Sequence, residues 1–484
     1  MIKESIILTF SKGIRGILML VFNMVIARVF TENLLGTYKH INLVMNIFST
    51  VCTIGIPTAV SCLYSTYDKS KKNKLVSNTV MLLVGISILS SIIIILFKEQ
   101  LVLLLNNPDI LRYINILALY VFIMIISSFL ENLYISSEHS VLLGKIYILY
   151  AIANFIVMIL SVVVFNSLYL LIILIVLVEL IRTIIMFGVI KRLENLLFDI
   201  DIGMLRSLLK FALPLGIVSI IQTINTYIDN LFISNNYTPD QYAAYANAAM
   251  DIPFVGIITV SIASVILPRM AQKYKKNKNF KSVLEIWGDA SKKTAVIMFP
   301  IFWIAMLFST GYIQFIFSEK YVISSTPIFV IYLLKFPLYC AVYGNVLVVF
   351  GKQKYVMYNS ILGIILNIIL NGIFINIFGI CGPAISTVIV QYIIVILQLL
   401  QISKHSSIRF RKVMPFKDLF KIFVLPSVIA IPMYYLSVLL NIPKWIGLIA
   451  FGIIIYFGSM LIYYKFNYID RNIMELIKNR RNSG

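Results

Sequence analysis

Charged residues are scarce in this sequence. Only 13% of the 484 residues are Asp, Glu, Lys or Arg, whereas soluble domains carry about 25%. Hydrophobic residues make up 60% of the chain, and the mean hydropathy is +0.95. A chain of this composition lacks the polar surface that a water-soluble fold needs, so the sequence predicts a membrane protein whose solvent is lipid.

Residues that usually carry catalysis, metal binding or disulfide bonds are also few. None of the four cysteines forms a Cys-x-x-Cys pair, and none of the three histidines has a partner at metal-ligand spacing. The segment closest to a phosphate-binding loop runs from Gly344 to Lys352, but its spacing is wrong and Gln353 replaces the required hydroxyl residue. These patterns exclude a disulfide framework, a zinc site and an ATP-driven pump, and we expect neither enzyme activity nor a cofactor.

Long apolar runs, in contrast, follow one another along the whole chain. A spanning helix needs about 20 mostly apolar residues, and about fourteen such stretches are present. Period-two alternation is missing, so the runs predict helices rather than strands. The predicted spans are residues 8–30, 40–63, 76–97, 112–135, 144–165, 168–190, 210–233, 242–267, 293–317, 324–350, 356–377, 380–402, 421–441 and 445–464.

Basic residues are distributed unevenly between the two sides of these spans. If the N-terminus is cytoplasmic, the connections on the outer side and their edges hold only Arg28, Lys39, Lys98, Arg112, Lys320 and Lys444. Most other Lys and Arg residues then fall on the cytoplasmic side, as the positive-inside rule requires. The sequence therefore predicts an even number of spans in the inner or plasma membrane with both termini cytoplasmic. It assigns the net charge of +21 to this orientation and to contact with anionic membrane lipids, not to nucleic-acid binding.

A weak internal repeat divides the chain. Similar tripeptides, starting at Gly36 and at Ala243, open the second and the eighth predicted spans. Six spans per half give both halves the same orientation, an arrangement typical of transporters with two lobes around a central cavity. We therefore predict an N-terminal lobe over 1–205, a C-terminal lobe over 206–403, and two C-terminal helices with a basic cytoplasmic tail over 404–484.

The first span contains charge at bilayer depth. An ionisable side chain there costs about 2.5–3.5 kcal/mol on insertion scales, so it normally faces protein or water. Lys12, Arg15 and Asn23 fall within one arc of the helix. Both cations can act as snorkelling anchors at the cytoplasmic interface. Arg15 lies deeper than Lys12, so lining of a cavity is the alternative for Arg15.

Polar residues recur at helical spacing in four other spans. The stripes are Gln222, Asn225, Thr226 and Asp229 in the seventh span, Asn247 and Asp251 in the eighth, Lys335 with Tyr332, Tyr339 and Tyr343 in the tenth, and Glu131 near the end of the fourth. They indicate either a hydrated cavity, which we favour, or buried hydrogen bonds between helices. Glu179 and Arg182, three residues apart, predict an internal ion pair.

Six short segments, in their order and spacing, carry a resemblance to a known family. They are FALPLG at 211–216, IDNLF at 228–232, ILPR at 266–269, IFSEKY at 316–321, NIILN at 367–371 and FGICGPAI at 378–385. The chain resembles the polysaccharide (O-antigen and capsule) flippases of the multidrug/oligosaccharidyl-lipid/polysaccharide exporter superfamily. A departure is Ser318, which stands where the family often has glycine.

The resemblance implies an all-α membrane fold of about fourteen transmembrane helices. Two six-helix lobes would surround a central cavity, with two further C-terminal helices. The implied activity is translocation of a polyprenyl-pyrophosphate-linked oligosaccharide repeat unit across the cytoplasmic membrane by alternating access, for surface polysaccharide biosynthesis. The implied partners are this lipid-linked substrate, membrane lipids, Na⁺ or H⁺, and a polysaccharide polymerase or chain-length machinery.

This activity assigns expected roles to the polar residues of the spans. Arginine binds a diphosphate bidentately, and amides and tyrosines suit sugar hydroxyls. We expect the diphosphate at Arg15, Lys335 and Arg269; sugars at Asn23, Gln222, Asn225, Asn247, Tyr339 and Tyr343; and ion coupling at Asp229, Asp251 and Glu131.

Other functions remain open from the sequence. A lipid II flippase or a drug/cation antiporter of the same superfamily would share the fold, although an antiporter would favour an acidic cavity over a basic one. A membrane glycan polymerase or acyltransferase would share the composition. The short outer loops, which lack a constellation of histidines and carboxylates, argue against that last class.

Overall fold

The computed structural model describes residues 2–468, apart from residues 195, 198, 251, 254 and 278. Throughout this part of the chain the regular secondary structure is helical, without a strand, and the predicted all-α class is confirmed. Contacts divide the chain into two compact units, Met1–Ala246 (unit 1) and Asn247–Gly484 (unit 2). The lobe boundaries expected from the sequence, at 205/206 and 403/404, stay predictions.

Unit 1 is built from long helices joined by short connections. Its helices are α1 (Ile2–Val29), α2 (Glu32–Thr53), α3 (Ile56–Tyr64), α4 (Lys69–Leu96), α5 (Lys98–Leu105), α6 (Ile114–Ser127), α7 (Leu130–Ser136), α8 (Ser140–Ile159), α9 (Leu168–Leu193), α10 (Ile202–Asn236) and α11 (Pro239–Ala248), the last continuing into unit 2. A 3-10 helix, Pro108–Tyr113, leads into α6, and a π-helical turn, Leu160–Val164, follows α8.

Side-chain caps define where several of these helices begin. The Asp201 carboxylate accepts a hydrogen bond from the Met204 backbone N–H at 3.0 Å and caps α10. The same carboxylate accepts a hydrogen bond from Lys74 Nζ at 2.8 Å, and the ammonium group holds the pKa of Asp201 below its usual range. Thr31, Asp68 and Ser167 cap α2, α4 and α9 in the same way.

The second predicted span is two helices, because the backbone turns sharply between α2 and α3. Ile54 and Gly55 both have left-handed φ values, +45° and +70°, and the helix axes differ by 46°. Helix α10 packs directly against this bend: a Cβ on Gly55 would lie 2.5 Å from Gly216 N, and one on Gly216 would lie 2.6 Å from the Ile54 carbonyl carbon. The glycine of the FALPLG segment is therefore required by a close backbone contact.

Unit 2 contains the remaining helices. They are α12 (Val255–Asn277), α13 (Phe280–Leu307), α14 (Ser309–Ile316), α15 (Val322–Leu333), α16 (Tyr343–Val349), α17 (Gln353–Phe378), α18 (Gly382–Ser406), α19 (Phe410–Val413), α20 (Phe416–Val424), α21 (Ser427–Leu439) and α22 (Lys444–Lys465). Short 3-10 helices lie at Glu319–Tyr321, Phe336–Cys340 and Gly379–Cys381.

The tenth predicted span is also broken, between α15 and α16. Pro337 cannot donate a backbone hydrogen bond and sits in the 3-10 helix that follows α15, and Ala341 is extended. The two halves, Glu319–Leu333 and Phe336–Val349, meet at 45°. The break positions Lys335 at a bend rather than within a continuous helix.

The number of spans differs from the sequence-based prediction. In the described residues, ten helical segments are long and apolar enough to cross a membrane, or up to twelve if each bent pair is one span. One of the ten, Gln353–Ser406, contains both α17 and α18. The eighth predicted span, residues 242–267, is not among them, since α11 ends at Ala248 and α12 begins at Val255. A multi-span membrane protein is confirmed, but the count of fourteen is not.

Candidate functional site

A polar cavity lies inside unit 1, between α1, α2, α6, α8 and α9. It consists of two adjoining spaces of about 220 Å³ and about 360 Å³. Both spaces are lined by Arg15, Met45, Asn46, Tyr120 and Tyr150. We call the two together the unit 1 cavity.

Regular helix spacing brings polar groups to this cavity. On α2, Asn42, Asn46 and Thr50 recur every four residues and therefore share one face. On α8, Tyr150 and Asn154 also recur at four residues and line the smaller space. Asn154 Oδ1 is buried without a hydrogen-bond partner among the described residues, so the cavity contains an unused acceptor.

The first charged group of the cavity is a carboxylate held by two donors. Lys12 Nζ lies 2.5 Å from Glu131 Oε1, and the Tyr147 hydroxyl donates to Glu131 Oε2 at 2.6 Å. These contacts connect α1, α7 and α8, and Lys12 and Glu131 are 119 positions apart in the sequence. Both formal charges are therefore compensated locally, and Glu131 serves as the partner of Lys12.

A second, more deeply buried pair lies on α9. Arg182 forms an ion pair with Glu179, and the two side chains are only 11% and 2% exposed. Ser127 Oγ lies 3.4 Å from the Glu179 carboxylate and 3.4 Å from Arg182 Nη2. The internal ion pair predicted from the sequence is confirmed. Burial of two charges is tolerated here because they neutralise each other.

Arg15 is the cation of this cluster that lacks such a partner. Its guanidinium carbon lies 5.6 Å from the centre of the Tyr150 ring, and that of Arg182 lies 4.8 Å from the same ring. Throughout the described residues, no carboxylate forms an ion pair with Arg15. The cluster therefore contains three cations and two carboxylates, and its surplus positive charge resides on Arg15.

This arrangement is suited to an anion that carries hydroxyl groups. The Arg15 guanidinium offers a planar fork of N–H donors that matches phosphate oxygens. Amide and phenol groups of Asn42, Asn46, Tyr120 and Tyr150 border the same space and can bond to neutral hydroxyls. Compensation of the other cations leaves one position where an incoming anion gains a new ionic contact.

Lys335, the second expected diphosphate ligand, lies in unit 2. Its ammonium nitrogen is 4.7 Å from the Tyr332 ring centre and 5.8 Å from that of Tyr339. The cavity it borders measures only about 20 Å³, which is room for about one water molecule. Tyr343, expected on the same face, instead packs edge-on against Trp287, with ring centres 5.7 Å apart, in the core of unit 2.

The other expected site residues do not line the unit 1 cavity. Asn23 donates to the Met19 carbonyl at 2.8 Å, Gln222 and Asn225 are exposed on α10, Asp229 is buried on α10, and Arg269 is exposed on α12. Asn247 is buried, and within the described residues neither atom of its amide group has a hydrogen-bond partner. Asp251 lies outside the described residues.

Several cavity residues were not predicted from the sequence. They are Asn42, Asn46, Tyr120, Tyr147, Tyr150 and Asn154. A signal was present, since the amides of α2 lie four residues apart and the polar residues of α8 follow at i, i+3 and i+7. Tyrosine and asparagine are common within apolar runs, however, and the spacing alone does not say that two helices face each other.

A family model described as "Polysaccharide biosynthesis protein" matches residues 25–326, more than half of the chain. A search of curated proteins gave no match. The resemblance inferred from the short segments is thereby supported by an independent comparison that covers α2 to α14 and the start of α15.

Solved structures with the same fold are transporters and a flippase. The lipid II flippase MurJ in an inward closed conformation superposes with a TM-score of 0.76 at 19% identity, over 95% of this chain and 99% of that one. An inward-facing multidrug resistance transporter of the MATE family gives 0.64 at 12% identity, over 82% and 96%. A transporter of the same superfamily from Pyrococcus furiosus, described as having a binding pocket of reversed polarity, gives 0.57 at 14% identity, over 84% and 95%. At these identities the likeness shows the fold.

Proposed function

Because the chain belongs to the polysaccharide biosynthesis protein family, we propose that it is a flippase for a polyprenyl-pyrophosphate-linked oligosaccharide. The substrate would be a repeat unit of a surface polysaccharide such as an O-antigen or a capsule. It would cross the cell membrane by alternating access, without any enzymatic step. The observation that carries this proposal is Arg15, the cation of the unit 1 cavity that no carboxylate neutralises.

The chemistry of the cavity supports a diphosphate head group attached to sugars. A diphosphate gains bidentate, charge-assisted hydrogen bonds from a guanidinium, and Arg15 is exposed to an approaching ligand. Neutral sugars gain hydrogen bonds from amides and stacking from tyrosine rings, and both kinds of group surround Arg15. The polyprenyl tail needs no polar site, since it can remain in the lipid.

The remaining expected ligands keep their roles within this proposal. Lys335 and Arg269 would assist with the diphosphate. Gln222, Asn225 and Tyr339 would contact sugars as the substrate advances. Asn23, Asn247 and Tyr343 are buried in this structure, so the same role for them requires another conformation of the transport cycle. A polysaccharide polymerase or chain-length machinery would receive the product on the outer face.

The test is flipping of a fluorescent polyprenyl-diphosphate oligosaccharide in proteoliposomes. Arg15→Ala should slow flipping by at least about tenfold, because a hydrogen bond to a charged group contributes about 1.5–3 kcal/mol. Arg15→Lys should recover part of the rate, since it keeps the charge and loses the fork. Arg206→Ala, an exposed arginine of the same unit, is the matched control and should behave as wild type.

Wild-type flipping by Arg15→Ala would return Arg15 to the role of a snorkelling anchor. A lipid II flippase is the second candidate, because the structure that superposes with a TM-score of 0.76 is the lipid II flippase MurJ. Competition between labelled lipid II and a labelled oligosaccharide diphosphate in one vesicle population separates the two. A drug/cation antiporter would instead move organic cations, which the surplus positive charge at Arg15 disfavours.

Net transport also needs an energy source. One charge that crosses about 100 mV supplies about 2.3 kcal/mol, a bias of about fifty-fold. Asp229, buried on α10, is our first candidate for coupling to Na⁺ or H⁺, and Asp251 is the second. Glu131 is the third, although Lys12 and Tyr147 already occupy its carboxylate.

Proteoliposomes with imposed sodium or proton gradients test this coupling. Wild type should flip faster with one of the gradients, and Asp229→Asn should respond to neither. A gradient response that survives in Asp229→Asn would make Asp229 structural, and a wild-type rate that ignores both gradients would make the protein a facilitator.

The proposed direction requires both termini to be cytoplasmic. Single cysteines at Lys276 and Asn236, both exposed, report the two sides. We expect an impermeant thiol reagent added to intact cells to label position 236 and not position 276. The reverse pattern would overturn the orientation.

A further inference from the structure

A second charged space lies in unit 2, away from the residues assigned to transport. It is a groove of about 830 Å³ between the first turns of α13 and the segment that leads into α20. Its charged lining consists of Lys281, Lys292, Arg409, Arg411 and Lys412 together with Glu285 and Asp289. We call this space the basic groove. Five cations face two carboxylates, a net charge of +3.

Most of this positive charge is uncompensated. Asp289 pairs with Lys292 on its own helix, at 2.8 Å. Across the described residues, Lys281, Arg409, Arg411 and Lys412 form no ion pair. Arg409, Arg411 and Lys412, which lie in and just before the short helix α19, are exposed. An incoming anion would therefore contact them without displacing a protein carboxylate.

The backbone of residues 408–415, which include α19, is anchored to the core of unit 2. Val413 and Met414 are only 1% and 3% exposed and belong to that core. Ser403 Oγ donates to the Ile408 carbonyl at 2.6 Å. Pro415 packs onto Gly288, where a Cβ would lie 3.1 Å from Pro415 Cδ. The cations therefore extend from an ordered backbone, which lowers the entropic cost of binding.

The helix that follows the groove is amphipathic. Phe416, Phe420 and Val424 recur every four residues and are 36%, 68% and 39% exposed. Ile422, on the opposite face, is fully buried. The Phe423 carbonyl also ties the helix to unit 2, since it accepts a hydrogen bond from Trp303 Nε1 at 2.7 Å. Helix α20 begins the candidate span Phe416–Leu439. Its exposed apolar stripe therefore meets lipid at the point where the span starts, beside the basic residues of the groove.

From these observations we propose that the basic groove binds the phosphate headgroup of an anionic phospholipid. The cations would hold the phosphate while the stripe of α20 packs against the acyl region of the same leaflet. A soluble anion would form ionic contacts with the cations but would make no apolar contact with the exposed stripe of α20. The charge distribution predicts that this leaflet is the cytoplasmic one, and the proposal does not depend on which substrate the protein transports.

The test is lipid binding by purified full-length protein, measured by native mass spectrometry with phosphatidylglycerol and phosphatidylcholine. Wild type should bind phosphatidylglycerol more tightly. The groove variant Arg409→Gln/Arg411→Gln/Lys412→Gln should bind it at least about tenfold more weakly, because each basic residue near an anionic headgroup adds to the attraction. The matched control Lys273→Gln/Lys275→Gln/Lys276→Gln removes equal charge from exposed positions of α12 and should match wild type.

Two further arms separate a lipid from a free anion. Phe420→Ser, at an exposed position, should weaken phosphatidylglycerol binding and leave inorganic phosphate binding unchanged. Inorganic phosphate at millimolar concentration should not displace the lipid. Displacement, or wild-type lipid binding by the groove variant, would overturn the proposal. If the groove variant is not monodisperse, the single substitutions of Arg409, Arg411 and Lys412 replace it, and wild-type affinity in all of them would overturn the proposal as well.

Discussion

Unit 1 and unit 2 both carry cations in or beside their helices, but the cations are compensated differently. In unit 1, Lys12 and Arg182 each have a carboxylate partner, which leaves Arg15 as the surplus charge of an internal cavity. In unit 2, Lys335 lies against tyrosine rings, and the cations of the basic groove remain exposed. Burial explains the Glu179–Arg182 pair, since charges withdrawn from water need a partner. Arg15 and the unpaired cations of the basic groove are exposed, so they stay hydrated without an ion pair and are open to a ligand.

The largest effect on stability should come from the buried pair of unit 1. Arg182→Met leaves the Glu179 carboxylate, whose side chain is 2% exposed, without its cation. We expect a loss of about 3–5 kcal/mol in the free energy of unfolding, because breaking a buried pair strands a charge. Equilibrium unfolding in detergent measures this loss.

The exposed pair of unit 2 is the control for that prediction. Asp289→Asn breaks the Lys292 contact, in which the side chains are 67% and 31% exposed, and should cost at most about 1 kcal/mol. The double variant Glu179→Gln/Arg182→Met should recover part of the loss. An equal loss in the free energy of unfolding for Arg182→Met and Asp289→Asn would contradict the expected difference between a buried and an exposed ion pair.

An intermediate effect is expected for the cation of unit 2 in transport. Lys335→Ala should slow flipping less than Arg15→Ala does, by about fivefold, since its contacts with Tyr332 and Tyr339 are worth about 0.5–2 kcal/mol. Lys335→Arg should keep most of the rate. The flipping assay used for Arg15 measures both variants, and a Lys335→Ala rate below that of Arg15→Ala would reverse the comparison between the units.

The smallest effect should come from the ring that lies beside two guanidinium groups. Tyr150→Phe keeps the aromatic face toward Arg15 and Arg182 and should stay within about twofold of the wild-type flipping rate. Tyr150→Leu removes the face and should lower the rate by about threefold to fivefold, a loss of about 0.5–1 kcal/mol. Equal losses in both variants would assign the effect to the hydroxyl group.

Local patterns in the sequence predicted the features that depend on neighbours in the chain. The apolar runs predicted helices, and the spacing of Glu179 and Arg182 predicted their ion pair. The break after α2 was not predicted, because left-handed φ values at Ile54 and Gly55 are explained by the approach of Gly216 from α10. Helix propensity says nothing about that approach.

Composition pointed, without a structure, to an all-α membrane protein, and the order of short segments pointed to the polysaccharide biosynthesis protein family, to which the chain belongs. Lipid as a solvent admits few folds, and helices satisfy their own backbone hydrogen bonds. Only the tertiary structure decided which cations of the unit 1 cavity form ion pairs with carboxylates and which cation has no such pair. Lys12 meets Glu131 across 119 positions, and Tyr150 comes to lie beside both Arg15 and Arg182. Such pairings depend on how distant helices pack, and helical periodicity within one segment carries no information about its neighbours.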